Sequence, residues 1–139
     1  AATTGGPNEL SIACIDLSGM GAGVLNVKNQ ATGTTTAATV TVAAVTAGDV
    51  VFGMASWDNT ATPAAGANYT IPTNGAQPSN GDASTHQPVA IEYLTSLNAA
   101  GGSTVVNMTV GNGGEGIIGV AFTPAGGAPA VSPGKAVIF

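Results

Sequence analysis

The stretch TAGDVVFGMASWDN, residues 46–59, decides how the rest of this chain folds. Turn-forming residues lie at both ends of this stretch, at 47–49 and at Asp58 and Asn59. The residues between them are rich in β-branched and aromatic types and end at Trp57, the only tryptophan. Because side chains alternate along a strand, one face carries Val50, Phe52 and Met54 and the other carries Val51, Gly53, Ala55 and Trp57. Both faces are apolar, which predicts a central strand that is covered on both sides.

Charge is scarce in this sequence. Charged residues make up 6% of the 139 residues, against about 25% in an average soluble domain. They include no arginine and are Glu9, Asp16, Lys28, Asp49, Asp58, Asp82, Glu92, Glu115 and Lys135. The net charge of −5 disfavours nucleic acid and anionic membranes, which both attract clustered Lys or Arg. So few charges do little to keep copies apart, which favours association over the alternative of a secreted monomer kept soluble by Thr, Asn and Ser.

The chain is predicted to be a single domain over residues 1–139, with an N-terminal arm at 1–9 and a C-terminal linker plus terminal strand at 125–139. Apolar runs bounded by Gly, Pro and Asn predict strands at residues 10–17, 24–28, 34–45, 50–57, 68–71, 89–96, 104–110, 116–123 and 135–139. No segment has the periodicity of a helix. We therefore expect an all-β fold, a two-sheet antiparallel β-sandwich of about eight or nine strands, either jelly-roll or immunoglobulin-like.

Alternation along these strands predicts which side chains are buried. In the segment 89–96 it places Val89, Ile91 and Tyr93 inward and Glu92 outward. The short segment 24–28 is expected at a sheet edge, where Lys28 discourages pairing with another edge. Gly-rich connections at 98–103 and 111–114 are predicted to be hairpin turns. The residues expected between the two sheets are Phe52, Trp57, Ile91, Val106, Ile118 and Phe122.

Residues 58–88 are predicted to form a long loop. They contain four of the eight prolines, and Asn74-Gly75 and Asn80-Gly81 suit turns that need a positive φ. Only residues 68–71 have a strand-like pattern. Loops of this length in small domains usually carry function, and here that function would be contact with a partner.

No catalytic residue is predicted. The only histidine, His86, lies near Asp82 and Ser84, but three such residues within one Pro-rich loop are more typical of turns than of a converged catalytic triad. The Gly-rich run at 111–116 joins two strands and has no lysine after it, so it is not a phosphate-binding loop. We therefore expect a protein that is not an enzyme and needs no cofactor.

No metal site is predicted either. One histidine and one cysteine cannot supply the usual zinc ligands, and the seven carboxylates lack the spacing of a calcium loop. A single calcium ion at Asp58 and Asn59 is the alternative. Cys14 has no second cysteine to pair with and is expected to be a buried, unreactive thiol.

Two tripeptides match the acceptor pattern for N-glycosylation, beginning at Asn68 and Asn107, and both fall in predicted strands. The sequence leaves open whether either is modified. It begins at Ala1 with small residues, which fits removal of an initiator Met or cleavage of a signal peptide. It contains no apolar run of about 18 residues or more that could span a membrane.

Four segments together resemble a recurring β-sandwich pattern: AGDVVFGMASWDN, ANYT, VAIEYLTSLNAAGGSTVVNMTV and GIIGVAFTP. The pattern is similar to domains of phage virion proteins, such as capsid decoration or cement proteins, and of secreted bacterial surface proteins. The shared features are a Gly-Asp turn that opens an apolar strand ending in Trp, and a later strand, Ala-Gly-Gly turn and strand. The resemblance covers residues 36–124 and implies a structural or adhesive module without catalytic residues.

We therefore expect a non-catalytic structural protein that acts in a multi-copy assembly, most simply a capsid decoration protein at the virion surface. Its partners would be copies of itself and a major capsid or other shell or fibre protein, without nucleic acid or membrane insertion. One alternative is a secreted subunit of a fibre, pilus or surface layer, and another is a carbohydrate-binding β-sandwich. Residues 135–139 would either dock on the sheet edge of a neighbouring copy or complete their own sandwich.

Overall fold

Antiparallel β-strands form the architecture in a computed structural model of the protein, which describes residues 13–17, 24–58, 60–77, 88–94, 101–111, 115–124 and 133–138. The strands are β1 (Ala13–Leu17), β2 (Val24–Gly33), β3 (Ala37–Val45), β4 (Val50–Trp57), β5 (Ala64–Ala65), β6 (Tyr69–Thr70), β7 (Ala76–Gln77), β8 (Val89–Leu94), β9 (Gly102–Thr109), β10 (Glu115–Thr123) and β11 (Pro133–Ile138). Among the described residues there is no helix, and thus none that could cross a membrane. The predicted all-β sandwich is confirmed.

Three sheets are formed by these strands. The largest has the order β2-β10-β4-β8-β6, and β7 also pairs with β8. A three-stranded sheet has the order β3-β9-β5, and β1 pairs with β11. As predicted, β4 is a central strand, and β2 is an edge strand, although it continues beyond residue 28 to Gly33. The C-terminal strand β11 pairs with β1 of its own chain, in a two-stranded sheet separate from the other two.

The core lies between the largest sheet and the three-stranded sheet. Its members alternate along β3, β4, β9 and β10, as side chains do on the inner faces of a sandwich. At its centre Gly53 of β4 lies directly opposite Gly119 of β10. A Cβ atom at Gly53 would overlap the side chain of Val106, and one at Gly119 would overlap that of Val42. The paired glycines therefore leave the space that these valines of the opposing sheet fill.

The core prediction is confirmed for Trp57 and Val106, which are buried between the two sheets. Phe52 is buried in a second cluster on the other face of β4, where its ring packs edge-on against Phe122 with centroids 6.2 Å apart. Ile118 is 38% exposed, so the prediction that it is buried is wrong. The reason is alternation: its neighbour Ile117 points into the core, which turns Ile118 outward.

Strand β8 departs from the prediction at Glu92, which is fully buried rather than facing solvent. It shares its face with Ala90, a member of the main core, whereas Tyr93 packs with the cluster on the opposite face. The two predicted hairpins are also wrong. Strands β8 and β9 lie in different sheets, and so do β9 and β10, so neither pair of strands can be joined as a hairpin.

Three tight turns have the same hydrogen-bond pattern and backbone conformation. Backbone N–H groups of Asp49, Tyr69 and Gly75 donate to the carbonyl three residues earlier, at 2.7–3.1 Å. The third residue of each turn has a positive φ: Gly48 at 90°, Asn68 at 69° and Asn74 at 62°. A type II turn requires this conformation, which glycine and asparagine adopt at least cost. The predicted turns at 47–49 and at Asn74 are confirmed.

Two further segments differ from the predicted pattern. Strand β3 alternates as predicted up to Val42 and then contains a bulge, with Ala44 at a φ of 58°. The bulge turns Val45 back into the core, three residues after Val42. The described part of the predicted long loop contains β5, β6 and β7, of which only β6 was predicted, and these short strands join it to both sheets.

Candidate functional site

The residues singled out for catalysis or metal binding give no assembled site in the described part of the chain. Asp82, Ser84 and His86 lie outside it, as does Asn59. Asp58 is exposed, and no group of three or more His, Cys, Asp or Glu side chains is found among the described residues. Cys14 lies in β1, in register with Val137 of β11.

The glycosylation acceptors do not both lie in strands. Asn68 is exposed and occupies a turn, because it precedes the first residue of β6. Asn107 lies within β9 and is half-buried. Gly66 packs against Asn107 so closely that a Cβ atom on Gly66 would overlap it. Of the two acceptors, only Asn68 has the exposure that a glycan needs.

Three carboxylates that were not predicted to be site residues are buried: Asp49, Glu92 and Glu115. A buried carboxylate is costly unless hydrogen bonds or a counter-charge compensate its lost hydration. Asp49 is well compensated, since Oδ2 accepts from the Thr46 N–H at 2.9 Å and Oδ1 accepts from the Thr123 hydroxyl at 2.8 Å. It therefore fastens the turn before β4 to the end of β10 and is a structural residue.

Glu92 is compensated on one oxygen only. Its Oε2 accepts from the Gly66 N–H at 2.9 Å, and the Asn107 backbone also donates to the carboxyl group, while Oε1 has no partner among the described residues. The hydroxyl of Tyr69, another buried residue, also has none. Burial raises the pKa of the Glu92 carboxyl from 4.5 to about 7, although the two backbone donors act to lower it. Burial and the charge of Glu92 together raise the pKa of Tyr69.

Glu92 can therefore hold a proton near neutral pH, but it is closed to solvent and no substrate can reach it. The role of Glu92 is confined to one neighbouring turn. The Gly66 N–H belongs to the turn that leads into Tyr69, so the carboxyl fastens this turn to the inside of the sandwich. We regard Glu92 as a structural group whose protonation affects stability.

Glu115 differs from the other two because it borders an open cleft of about 300 Å³. The cleft lies where the end of β2, the start of β3 and the start of β10 meet. Oε1 accepts from the Thr35 N–H at 3.1 Å and from the Thr35 hydroxyl at 3.3 Å, and that hydroxyl also donates to the Ala37 carbonyl at 3.0 Å. Oε2 has no partner among the described residues.

Gly33 makes this arrangement possible. It lies directly opposite Glu115 in the pairing of β2 with β10. A Cβ atom at Gly33 would overlap Oε1 of Glu115, so the carboxylate extends across the space that the glycine leaves. The combination of a cleft, a 7% exposed carboxylate and an unpartnered oxygen makes this the candidate binding site of the described chain.

Comparison with known proteins gives no match: no family model, no curated protein and no solved structure is similar to this chain.

The sequence contained a signal that Glu92 is buried but no signal that Glu115 is buried. Glu92 is preceded and followed at two residues' distance by Ala90 and Leu94, so its face of β8 is apolar. A strand that is apolar on both faces predicts burial of everything on it, including a charge. Glu115 is held by Thr35, 80 residues away in the chain. No local pattern could reveal that contact.

Proposed function

We propose that this protein is a non-catalytic structural subunit that acts as one copy among many, with the outer face of the three-stranded sheet as a contact surface. The observation that carries the proposal is that this sheet contains no charged residue on any of its strands, β3, β9 and β5. Its exposed residues are small or β-branched: Ala37, Thr39, Thr41, Ala43, Ala44, Ala64, Gly102, Ser103, Val105 and Thr109.

The distribution of charge supports association more strongly than composition does. Of the five charged residues whose side chains the structure describes, Asp49, Glu92 and Glu115 are buried, and Lys28 and Asp58 are exposed. Mixed surface charge is what usually keeps soluble monomers apart. Val105 is 48% exposed at the middle of the uncharged sheet, in register with Thr41. An uncharged surface of this kind can be buried against another protein without desolvating a charge.

The resemblance to phage virion modules makes a capsid decoration protein the most specific form of this proposal. Its partners would then be further copies of the chain and a capsid protein. The geometry of assembly tests this form, because closed symmetry gives rings whereas an open head-to-tail contact gives filaments. Rings in electron micrographs would support the decoration protein. Filaments would favour a subunit of a fibre or surface layer instead.

The experiment is a comparison of oligomeric state by light scattering coupled to size-exclusion chromatography, over a range of micromolar concentrations. Thr41→Lys places a charge at the centre of the proposed surface, and Thr73→Lys places the same charge at an exposed turn outside it. We expect the unaltered chain and Thr73→Lys to assemble equally, and Thr41→Lys to assemble at least tenfold more weakly, because contact would bury an unpaired ammonium group.

Two results would contradict the proposal. One is a folded monomer for the unaltered chain at every concentration, with no assembly on a shell or fibre. The other is assembly of Thr41→Lys at the same concentrations as the unaltered chain, which would show that the contact surface lies elsewhere.

A further inference from the structure

We propose that the cleft at Glu115 binds a primary alkylammonium group, such as the end of a lysine side chain or a small aliphatic amine. The ammonium group would donate to the carboxylate of Glu115, which is 7% exposed, and the alkyl chain would lie along the walls of the cleft. This inference concerns a ligand site and stands independently of the assembly proposed above.

The carboxylate supplies the first argument. Both donors that reach it, the N–H and the hydroxyl of Thr35, act on Oε1, and the hydroxyl is shared with the Ala37 carbonyl. Oε2 is buried without a donor. Glu115 is also the one charged residue among the described residues that border the cleft. A buried negative charge with a free acceptor favours a ligand that brings both a positive charge and N–H donors.

The walls of the cleft supply the second argument, because their apolar surface favours a ligand whose uncharged part is an alkyl chain. Ala31, Ala38 and Ile117 contribute methyl and aliphatic surface. Alkyl chains that end in an ammonium group bury their methylene groups along such surface while the charge seeks a polar partner. At about 300 Å³ the cleft is at the small end of ligand-binding pockets, which suits a short chain.

Two other ligand classes fit the cleft less well. Calcium takes six to eight oxygen ligands, and the described lining supplies a single carboxylate. Sugars are usually held by stacking on an aromatic ring, and no aromatic residue is among the described residues that line the cleft. An amine needs only one carboxylate and an apolar channel, which are the features present.

The test is a titration of the ¹⁵N-labelled full-length chain with n-butylammonium chloride, followed by the amide signal of Thr35 at constant ionic strength. This amide donates to Glu115 and should report any ligand on the carboxylate. We expect a saturable shift with a dissociation constant of about 1 mM, the weak affinity normal for so small a ligand. Tetramethylammonium chloride, which has the charge but no N–H donor, should give no saturable shift.

Two variants locate the site. Glu115→Gln removes the charge with little change of shape, and Ala31→Leu fills the cleft from β2 while leaving the carboxylate in place. Each should weaken n-butylammonium binding at least tenfold, and the dispersion of the amide spectrum shows whether each variant is folded. If one variant is unfolded, the other and the comparison of the two ammonium ions still decide the question.

The source of the ammonium group is distinguished by repeating the titration with Nα-acetyl-lysine amide and with 1,4-diaminobutane. Tighter binding of the lysine derivative would support a partner protein's lysine, and tighter binding of the diamine would support a free amine. The proposal is overturned if Thr35 shows no saturable shift, if Glu115→Gln binds n-butylammonium unchanged, if tetramethylammonium binds equally, or if calcium binds at Thr35 more tightly than the amine.

Discussion

Replacing Glu92 by glutamine should remove the decrease in stability that titration of this carboxyl is expected to cause between acid and neutral pH. Glu92 lies in the core with one oxygen unpartnered, and burial raises the pKa of its carboxyl from 4.5 to about 7. The folded state therefore holds the proton more tightly than the unfolded state does. Its contribution to stability is fully present below about pH 4.5 and is lost as the pH rises through about 7.

The magnitude follows from the size of the shift. One pKa unit corresponds to about 1.4 kcal/mol, so a change from 4.5 to about 7 makes the folded protein about 3 kcal/mol less stable at pH 8 than at pH 4 through this group alone. Because the side chain is inaccessible to solvent, screening by water reduces this figure only modestly. It is a large part of the total stability of a small domain.

Glu92→Gln is the suitable variant because glutamine is neutral at every pH and its carbonyl oxygen can still accept from the Gly66 N–H. The assay is urea unfolding of both proteins at a series of pH values between 4 and 8, compared as the difference in free energy of unfolding. That difference cancels the titration of all other groups. We expect the unaltered protein to lose about 3 kcal/mol relative to the variant over this range.

One control tests whether burial, and not a neighbouring group, raises the pKa of Glu92. Tyr69→Phe removes the nearby unpartnered hydroxyl and should leave the pH dependence unchanged, because burial and not this hydroxyl raises the pKa of Glu92. A difference between Glu92→Gln and the unaltered protein that is constant across the range would refute the reasoning, since Glu92 would then titrate alike in both states.

The remaining predictions concern packing and can be measured by the same unfolding assay. Phe52→Ala and Trp57→Ala should each cost about 3–5 kcal/mol, and a loss below about 1 kcal/mol at both sites would mean that the two clusters around β4 contribute little. Gly53→Ala should cost about 1–3 kcal/mol, because its Cβ atom would overlap Val106. In the matched control Gly116→Ala the nearest atom is Ser56 Oγ at 3.7 Å, so stability should change by less than about 0.5 kcal/mol; equal effects at the two glycines would contradict the proposed role of Gly53.

Most of the strands could be predicted because their signals are local. Alternation in β3 and β9 identifies which valines face inward, and the Gly-Asp turn before β4 identifies where that strand begins. The connections after β8 and β9 were harder, because a short Gly-rich segment suits a hairpin and a crossing between sheets alike. Only the register of β9 with β3, far away in the sequence, decides that these connections change sheet.

The candidate site could not be predicted, for a related reason. A carboxylate is expected at the surface because burying its charge is costly. At Glu92 the apolar neighbours on its own face outweigh that expectation, and at Glu115 the compensating donors come from a distant turn. The glycines that admit these side chains, Gly53 and Gly33, look like ordinary turn or strand glycines in the sequence. Their role depends on which strand lies opposite.

The buried carboxylates also change how the composition bears on assembly. A net charge of −5 would suggest that copies repel one another. Three of the seven carboxylates are inside the sandwich, however, and Glu92 is partly protonated near neutral pH because burial raises its pKa to about 7. The field at the described surface then comes from Lys28 and Asp58. If copies associate through the outer face of the three-stranded sheet, that contact would therefore depend on its shape and hydrogen bonding and very little on the charges of the described surface.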